Sequence, residues 1–364
     1  MNYFFELLRY SLGITDSFEA KLSPEEWKDV FEAAHRQSVV GVLFCGVSKL
    51  NRQLAPPLNI AMQWTAEAEK IRGMNKAFNA RAKELTEFFA QHNHKSVILK
   101  GQANARLYPD QFSRQPGDID IFVDGGKQKV LQMLTDLNLV KQGRFVAYHH
   151  VELNEQDDGI TIEVHFRPSS GIANIFGNKQ LQNFLNNDIQ NVSITDQGFN
   201  IPSVKFALVM QLAHIQRHFI GGGIGLRQIT DYYYLLKNTS LNDREYISSM
   251  LDTFKLKPFA AALMWVLKHI FLMDDCLMIC HPNQATGQHI LEEISHNGNF
   301  GWYSDYYNDG FLKRQIRYRK RMFNLFKHFP KDVFWSRYAN YIFILKTIPV
   351  RIRHRTLSLK GVDL

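Results

Sequence analysis

The chain has 364 residues, of which 45% are hydrophobic and 21% are charged, and this is the balance of an ordinary folded protein. It excludes a disordered tail protein, a collagen-like repeat and a disulfide-stapled mini-domain, and the length allows two or three domains. The net charge of +8 is uneven, because residues 311–364 carry a net +12 and residues 1–310 a net −4. The basic end is typical of a segment that binds nucleic acid or an acidic surface, and equally of a solvated helical face.

The cysteines and the hydropathy pattern bear on the cellular compartment. Three cysteines (Cys45, Cys276 and Cys280) are too few for a disulfide framework, which indicates a reducing environment. No stretch approaches the roughly 18 uncharged apolar residues of a membrane span, and the first residues do not have the pattern of a secretory signal. We therefore expect a cytoplasmic protein with no transmembrane segment.

Taken in chain order, the pattern of apolar, polar and charged residues changes three times. We expect four regions: an N-terminal helical region (1–94), an α+β core (95–168), a helical domain (169–310) and a basic helical tail (311–364). The core pattern predicts short strands at Ser96–Leu99, Ile119–Val123, Phe145–Leu153 and Ile160–Phe166, with helices at Gln102–Leu107 and Lys127–Leu137. The expected fold class is therefore α+β, a small mixed sheet with helical regions on both sides of it in the chain.

Two aspartates accompany the second predicted strand. Residues i and i+2 of a strand point to one face, about 6–7 Å apart, so Asp118 and Asp120 share a face opposite the apolar Ile119. Two carboxylates at this spacing are suited to hold a pair of Mg²⁺ ions for phosphoryl chemistry. The alternative is an edge strand with two solvated aspartates.

The fourth predicted strand carries a third acid. Glu163 and His165 alternate with apolar residues and therefore lie on the polar face of that strand. If the strand lies beside the aspartate strand, Glu163 completes a triad of carboxylates, a cluster that is costly to bury unless ions neutralise it. His165 is either a partner of this cluster or an ordinary sheet-surface histidine.

Cations come before the acids in the chain. Lys100 and Gly101 follow the first strand and precede a helix, a place that offers charge and backbone N–H groups to phosphates. Arg114 is suited to brace a triphosphate from the loop side. Both cations have an alternative interpretation as surface charges.

Further along, two pairs of residues have helical i, i+4 spacing. Arg227 and Asp231 either pair with each other or reach into a cleft. His214 and His218 have the spacing of metal ligands, but the sequence shows no third ligand.

The order of these segments resembles a known family. Leu99-Lys100-Gly101, then Arg114-x-x-Gly117-Asp118-Ile119-Asp120, then Ile162-Glu163-Val164-His165 is similar to the uncharacterised bacterial nucleotidyltransferases of the polymerase-beta-like superfamily. The resemblance covers roughly residues 1–240, including the segment His214–Asp231.

The resemblance implies an enzyme that moves a nucleotidyl group from an NTP to an acceptor by two-metal catalysis with Mg²⁺ or Mn²⁺. The acceptor, whether a small molecule, a protein or an RNA, stays open. The implied roles are as follows: catalytic groups and metal ligands Asp118, Asp120 and Glu163; nucleotide-binding residues Lys100, Gly101, Arg114 and Gly117; cleft residues His165, Arg227 and Asp231.

One feature departs from the wider superfamily. Its members place Gly-Ser at the helix start that holds the phosphates, whereas this chain has Lys100-Gly101-Gln102, so the Lys100 charge would take over that role. The alternative function is a catalytically silent protein that binds nucleotide or nucleic acid on the same fold. Its binding surface would be the basic tail, with aromatic residues between the cations.

Overall fold

The computed structural model describes residues 2–141, 145–154, 157–299 and 310–353. Within these ranges it contains fourteen α-helices and six short strands. The helices are α1 (Asn2–Ser11), α2 (Pro24–Gln37), α3 (Val40–Val47), α4 (Leu58–Gln91), α5 (Gln102–Ala105), α6 (Gly126–Asp136), α7 (Ile175–Asp188), α8 (Val204–Gly221), α9 (Leu226–Lys237), α10 (Leu241–Met250), α11 (Lys257–Phe271), α12 (Gln284–Asn297), α13 (Phe311–His328) and α14 (Pro330–Arg353). The strands are β1 (Ser96–Ile98), β2 (Ile119–Val123), β3 (His150–Glu152), β4 (Ile162–His165), β5 (Val192–Ile194) and β6 (Asn200–Pro202).

Four of the strands form one mixed sheet in the order β1-β2-β4-β3. β2 is antiparallel to β1 and parallel to β4, and β3 is antiparallel to β4. The parallel pairing sets Asp120 beside Glu163. The predicted α+β class is confirmed, and so is the expectation that the two acid-bearing strands are neighbours.

The interior strand β2 lies between two apolar clusters. Ile119, Ile121 and Val123 belong to a smaller cluster with the C-terminal half of α4 and with α6. Phe122 belongs to a larger cluster that joins α1–α3 to α8, α9 and α11. All five residues of β2 are buried, because both faces of the strand are covered. The edge-strand alternative is thereby excluded for Asp120.

Three elements differ from the sequence predictions. The strand predicted at Phe145–Leu153 is shorter, because only His150–Glu152 pairs with β4, and residues 142–144 lie outside the described ranges. The helix predicted after Gly101 ends at Ala105. The β5–β6 hairpin was not predicted in the helical domain. It lies beside β1, where Asn200 Nδ2 donates to the carbonyl of Ser96 at 3.1 Å. The boundaries of the four regions stay a prediction.

The loop that leads into β2 is tied to α9 by a buried ion pair. Arg114 donates from Nε and Nη2 to the two carboxylate oxygens of Asp231, at 2.7 and 2.8 Å. Tyr108 donates its hydroxyl to the same carboxylate at 2.8 Å. One turn earlier in α9, Arg227 donates from Nη1 to the carbonyl of Gln115 at 3.2 Å. The helix therefore holds the loop by side-chain and main-chain contacts together.

The long helix α4 holds the same loop from another side. Asn75 is fully buried and donates from Nδ2 to the carbonyls of Phe112 and Arg114, at 2.9 and 2.7 Å. Since these carbonyls belong to irregular backbone, a buried amide is the partner that removes their desolvation cost. The chain therefore enters β2 in one fixed path.

At the C-terminal end, α13 and α14 contact each other and pack on α8 through the buried Leu325, Phe329 and Val333. Asp332 lies at this junction and accepts a hydrogen bond from Gln216 Nε2 at 2.8 Å. Burial raises the pKa of Asp332 to about 6, against the opposing effect of the Gln216 bond. Separately, no helix in the described part of the chain is long and apolar enough to cross a membrane.

The raised pKa of Asp332 predicts a pH-dependent contribution to stability. The folded state holds a proton on this carboxyl that the unfolded state loses at lower pH, so the contribution is present in acid and is lost as pH rises through about 6. Asp332→Asn should raise the free energy of unfolding at pH 8 by about 1–2 kcal/mol, since one pKa unit corresponds to about 1.4 kcal/mol. Melting temperatures of both proteins at pH 5 and pH 8 test this. An equal difference at both pH values would contradict it.

The buried pair of Arg114 and Asp231 predicts a large effect of removing one partner. Asp231→Asn should destabilise the protein by about 3 kcal/mol or more, because it leaves a buried guanidinium uncompensated. The matched control is Asp252→Asn, which breaks the exposed pair with Lys257 at 2.7 Å and should leave the unfolding midpoint almost unchanged. Urea unfolding measures both variants. Equal midpoints would show that the pair does not hold the loop.

Candidate active site

Asp120 is the most deeply buried acid of the sheet, with 1% of its surface exposed. Its Oδ2 lies 3.1 Å from Lys100 Nζ, and its Oδ1 lies 3.0 Å from His165 Nε2. Burial alone would raise the pKa of Asp120. The charges of Lys100 and His165 and the hydrogen bond from His165 outweigh burial and hold this pKa well below its usual range. The carboxylate is therefore ionised inside the fold.

Glu163 lies directly beside Asp120 on β4. Its Oε2 is 3.4 Å from His165 Nε2 and 3.4 Å from His150 Nδ1, and 24% of its side chain is exposed. One ligand atom each of Asp120, Glu163 and His165 lies within 4.8 Å of the others, a grouping that can hold a metal ion. The predicted approach of Glu163 to the aspartate strand is realised in this geometry.

His165 is a buried member of the cluster. Only 4% of its surface is exposed, so it is not an ordinary surface histidine. Burial alone would lower the pKa of His165, but its hydrogen bonds to Asp120 and Glu163 more than compensate and raise it. Its Nε2 faces the two carboxylates. Its Nδ1 is buried and has no hydrogen-bond partner among the described residues.

Lys100 follows β1 and supplies the cationic side of the cluster. Burial alone would lower its pKa, but the charges of Asp120, Asp118 and Glu163 outweigh burial and raise it. Gly101 comes next, with φ +59°, a backbone conformation that side-chain-bearing residues rarely adopt. This glycine lets the chain turn from β1 into α5, which has only four residues. The turn fixes the direction from which the ammonium approaches Asp120.

Asp118 directly precedes β2 and is more exposed than Asp120. The charge of Asp120 raises the pKa of Asp118, and Lys100 opposes this rise. Glu163 and Arg227 also act on the Asp118 carboxylate through their charges. The two aspartates thus interact, and they differ in burial and in proton affinity.

The remaining predicted site residues belong to the loop before β2 and to α9. Asp231 pairs with Arg114, and Arg227 donates to loop carbonyls. Gly117 lies against the same guanidinium, since a Cβ there would be 3.3 Å from Arg227 Nη1. Arg114 is therefore committed to a carboxylate of the protein. The charge of Arg227 lowers the pKa of Asp118.

The helix α8 brings two further histidines to the cluster. The His214 and His218 rings have centroids 4.3 Å apart. Burial and then the charge of Lys100 lower both pKa values, that of His218 to about 3. Both imidazoles are neutral at neutral pH. Among the described residues, neither belongs to a group of three or more side chains able to share a metal ion.

His149 and His150 are the site residues that sequence reasoning missed. They precede and begin β3, and His150 is in register with His165. The His149 Nε2 and His150 Nδ1 atoms are 2.9 Å apart, and both rings contact the ring of His165. Burial, followed by the charges of His165 and His150, lowers the pKa of His149 to about 2. The doublet itself was the available signal, because it lies within the strand predicted at Phe145–Leu153, next in the chain to the Glu163 strand.

Comparison with known proteins supplies a family. No curated protein matches the sequence. A solved structure, described as an antigenic nucleotidyltransferase-like protein from Paracoccidioides brasiliensis, is similar over 58% of this chain and 96% of its own, with 12% identity and a TM-score of 0.30. This likeness is too distant to carry a residue role across. A family model described as uncharacterised nucleotidyltransferase matches residues 23–272, a span that contains the whole sheet and every predicted site residue. The chain therefore belongs to this family of uncharacterised nucleotidyltransferases.

Proposed function

We propose that the protein transfers a nucleotidyl group from an NTP to an acceptor, with two divalent ions, Mg²⁺ or Mn²⁺, held by Asp118, Asp120 and Glu163. The observation that carries the proposal is the parallel pairing of β2 and β4, which sets Asp120 beside Glu163, with Lys100 and His165 in contact with Asp120. Membership of the polymerase-beta-like superfamily is part of the same proposal.

The donor set fits divalent ions of this kind. Carboxylate oxygens are the ligands that Mg²⁺ and Mn²⁺ prefer, and Asp120 is ionised inside the fold. Such ions supply neutralisation of the charge that develops on the phosphoryl oxygens. Asp118, which is more exposed and has a raised pKa, gains most from a positive neighbour. Glu163 keeps part of its surface in solvent, and we assign to it the role of accepting the proton that the acceptor hydroxyl loses.

The nucleotide side of the site is cationic. Lys100 keeps its proton and now pairs with Asp120, so a divalent ion on that carboxylate would free the ammonium for the triphosphate. Gly101 and Gly117 keep the backbone open at the two chain segments that flank the acids. Arg227 extends from α9 toward Asp118 and adds positive charge.

Arg114 takes a different part in the proposal from the one the sequence implies. One edge of its guanidinium, formed by Nε and Nη2, is occupied by the two oxygens of Asp231 and the side chain is buried, which leaves little of it for a triphosphate. We assign Arg114 and Asp231 a positioning role, in which they hold the loop that carries Gly117 and Asp118. His165 likewise orients Asp120 by its 3.0 Å hydrogen bond.

Calorimetric titration of the full chain with each NTP, with and without Mg²⁺, tests the proposal. We expect one or more nucleotides to bind only with the metal, and Glu163→Gln to weaken that binding by about tenfold or more, since it removes a ligand charge. Glu163 is preferred to Asp120 because it is less buried and its change disturbs folding less. Asp196→Asn, at a side chain 73% exposed, is the control and should bind as the parent does.

Two results would overturn the proposal. One is metal-independent binding of every nucleotide, and the other is equal affinity of the Glu163→Gln variant and the parent. Release of pyrophosphate in the presence of a bound nucleotide and candidate acceptors would extend the test from binding to transfer.

We infer a second function for the hairpin of α13 and α14, the docking of the protein on an anionic membrane surface. Both helices expose large apolar side chains on one face, at i, i+3 and i+4 spacing on α14 and as two pairs seven residues apart on α13, with the exposed Arg319 between the pairs. The stripes are Leu312, Ile316, Phe323 and Phe326 on α13, and Phe334, Tyr338, Tyr341, Leu345 and Ile348 on α14. Exposed lysines and arginines flank the α13 stripe.

The chemistry of these stripes favours a bilayer over nucleic acid. Nucleic-acid grooves stack bases on aromatic rings, whereas four of the nine exposed side chains are aliphatic. A helix that combines an apolar stripe with basic flanks is suited to lie in the interface of an anionic bilayer. Arg321 and the buried Leu325 fix the hairpin to the body through Glu293 and the larger cluster, so the stripe is presented outward.

Flotation of the full chain with vesicles tests this second function. We expect binding to vesicles that contain phosphatidylserine and at least about tenfold weaker binding to pure phosphatidylcholine, because the cations need anionic headgroups. Phe334→Ser with Leu345→Ser should abolish flotation. Leu58→Ser, at a side chain 76% exposed on α4, is the control. Absence of flotation, or salt-sensitive binding to RNA that the double variant does not change, would contradict the membrane proposal.

A further inference from the structure

A second group of ligand-type side chains adjoins the carboxylates. His149, His150 and His165 each offer a ring nitrogen within 4.8 Å of the others, and the group shares His165 with the Asp120–Glu163 group. The five side chains form a continuous row. The acids of this row and His165 have a part in the proposed function, and the imidazoles of His149 and His150 do not.

The spacing along the row suits a metal ion better than hydrogen bonds alone. Two ligand atoms bound to one ion at about 2.0–2.2 Å lie about 3.0–3.5 Å apart. The Glu163 Oε2 atom is 3.4 Å from His150 Nδ1. This distance exceeds the usual range of a hydrogen bond, which ends near 3.2 Å. It falls within the range for ligands that share an ion.

The second observation is the unpartnered nitrogen of His165. A metal-bound imidazole commonly donates its other N–H to a carboxylate, which fixes the ring and its tautomer. His165 has this arrangement on one side, because Nε2 is 3.0 Å from Asp120 Oδ1. Its Nδ1 is buried without a hydrogen-bond partner among the described residues, and the residue is 4% exposed. A buried ring nitrogen with no hydrogen-bond partner is costly, and a metal ion bound there in place of a proton removes that cost.

We propose that His149, His150 and His165 bind a transition-metal dication that accepts nitrogen ligands, of the Zn²⁺ or Co²⁺ class, with Glu163 as the ligand nearest to the carboxylate site. The proposal rests on the proposed function only through the shared Glu163 and Asp120. Imidazole ligands suit these metals and not Mg²⁺, which takes oxygen ligands. The site would thus hold ions of two chemical classes side by side.

The metal proposal is tested with Co²⁺ as the probe and without nucleotide. The full chain is stripped with a chelator and titrated with Co²⁺, and the visible absorption bands report nitrogen ligation. We expect one tight site in the parent and an affinity at least about tenfold lower in His149→Ala with His150→Ala, since two ligands are lost. His281→Ala, an exposed histidine away from the cluster, and Asp118→Asn should both keep the bands.

A measurement on the parent protein guards against a variant that fails to fold. Pulsed electron paramagnetic resonance of the Cu²⁺-loaded parent detects the nitrogen of a coordinated imidazole directly. Absence of that signal together with absence of Co²⁺ binding overturns the metal proposal, as does equal Co²⁺ affinity in the double variant. Since neither readout uses an NTP, nucleotide binding with no Co²⁺ site overturns this inference alone. A Co²⁺ site without metal-dependent nucleotide binding overturns the proposed function alone.

Discussion

An ionised carboxylate lies at Asp120 in the interior of the sheet, and an uncompensated charge at such a place costs several kcal/mol. Lys100, which follows β1, and His165 of β4 compensate it from two sides, and the buried ammonium of Lys100 needs the carboxylate in return. The order β1-β2-β4 is the arrangement that delivers both cations to the same acid. The fold of the core and the electrostatics of the site therefore depend on each other. In another strand order, Asp120 would be buried without Lys100 or without His165.

The helical regions carry out the second task, which is to hold the irregular chain that leads into that strand. α9 contributes a carboxylate, Asp231, and a cation, Arg227, on one face, and α4 contributes the buried amide of Asn75. α3 approaches the same loop so closely that a Cβ at Gly41 would collide with the carbonyl of Ser113. The loop has no regular hydrogen bonding of its own, so its conformation is set by residues that are distant in the chain. The helices that surround the small sheet therefore fix the path of the loop that leads into β2.

Much of the core could be predicted from the alternation of apolar and polar residues along the strands and from the order of the segments in the chain. The rest depended on contacts between residues that are distant in the sequence. Alternation along two short segments indicated which side chains of β2 and β4 share a face, and the structure has both sets as predicted. The partner of Arg114 was not predictable, because Asp231 comes 117 residues later in the chain. Asp231 also has a nearer candidate partner of its own, Arg227, one turn earlier on the same helix. His149 and His150 were missed although they lie within the predicted strand, because the register that sets His150 beside His165 is not visible in the local sequence. The length of β3 likewise depends on where its partner β4 ends, which local sequence does not reveal.

The parallel pairing of Asp120 with Glu163 also has a consequence for how the chain can vary. Single substitutions change one group and leave the others in place. A deletion or insertion of one residue inside β2 or β4 would turn each following side chain to the opposite face, since strands alternate with a period of two. It would bring acids into the smaller apolar cluster and isoleucines and valines into the site at the same time. Relatives that retain this chemistry should therefore differ in length within their loops, and hold the spacing from Asp118 to Val123 and from Ile160 to Phe166 constant.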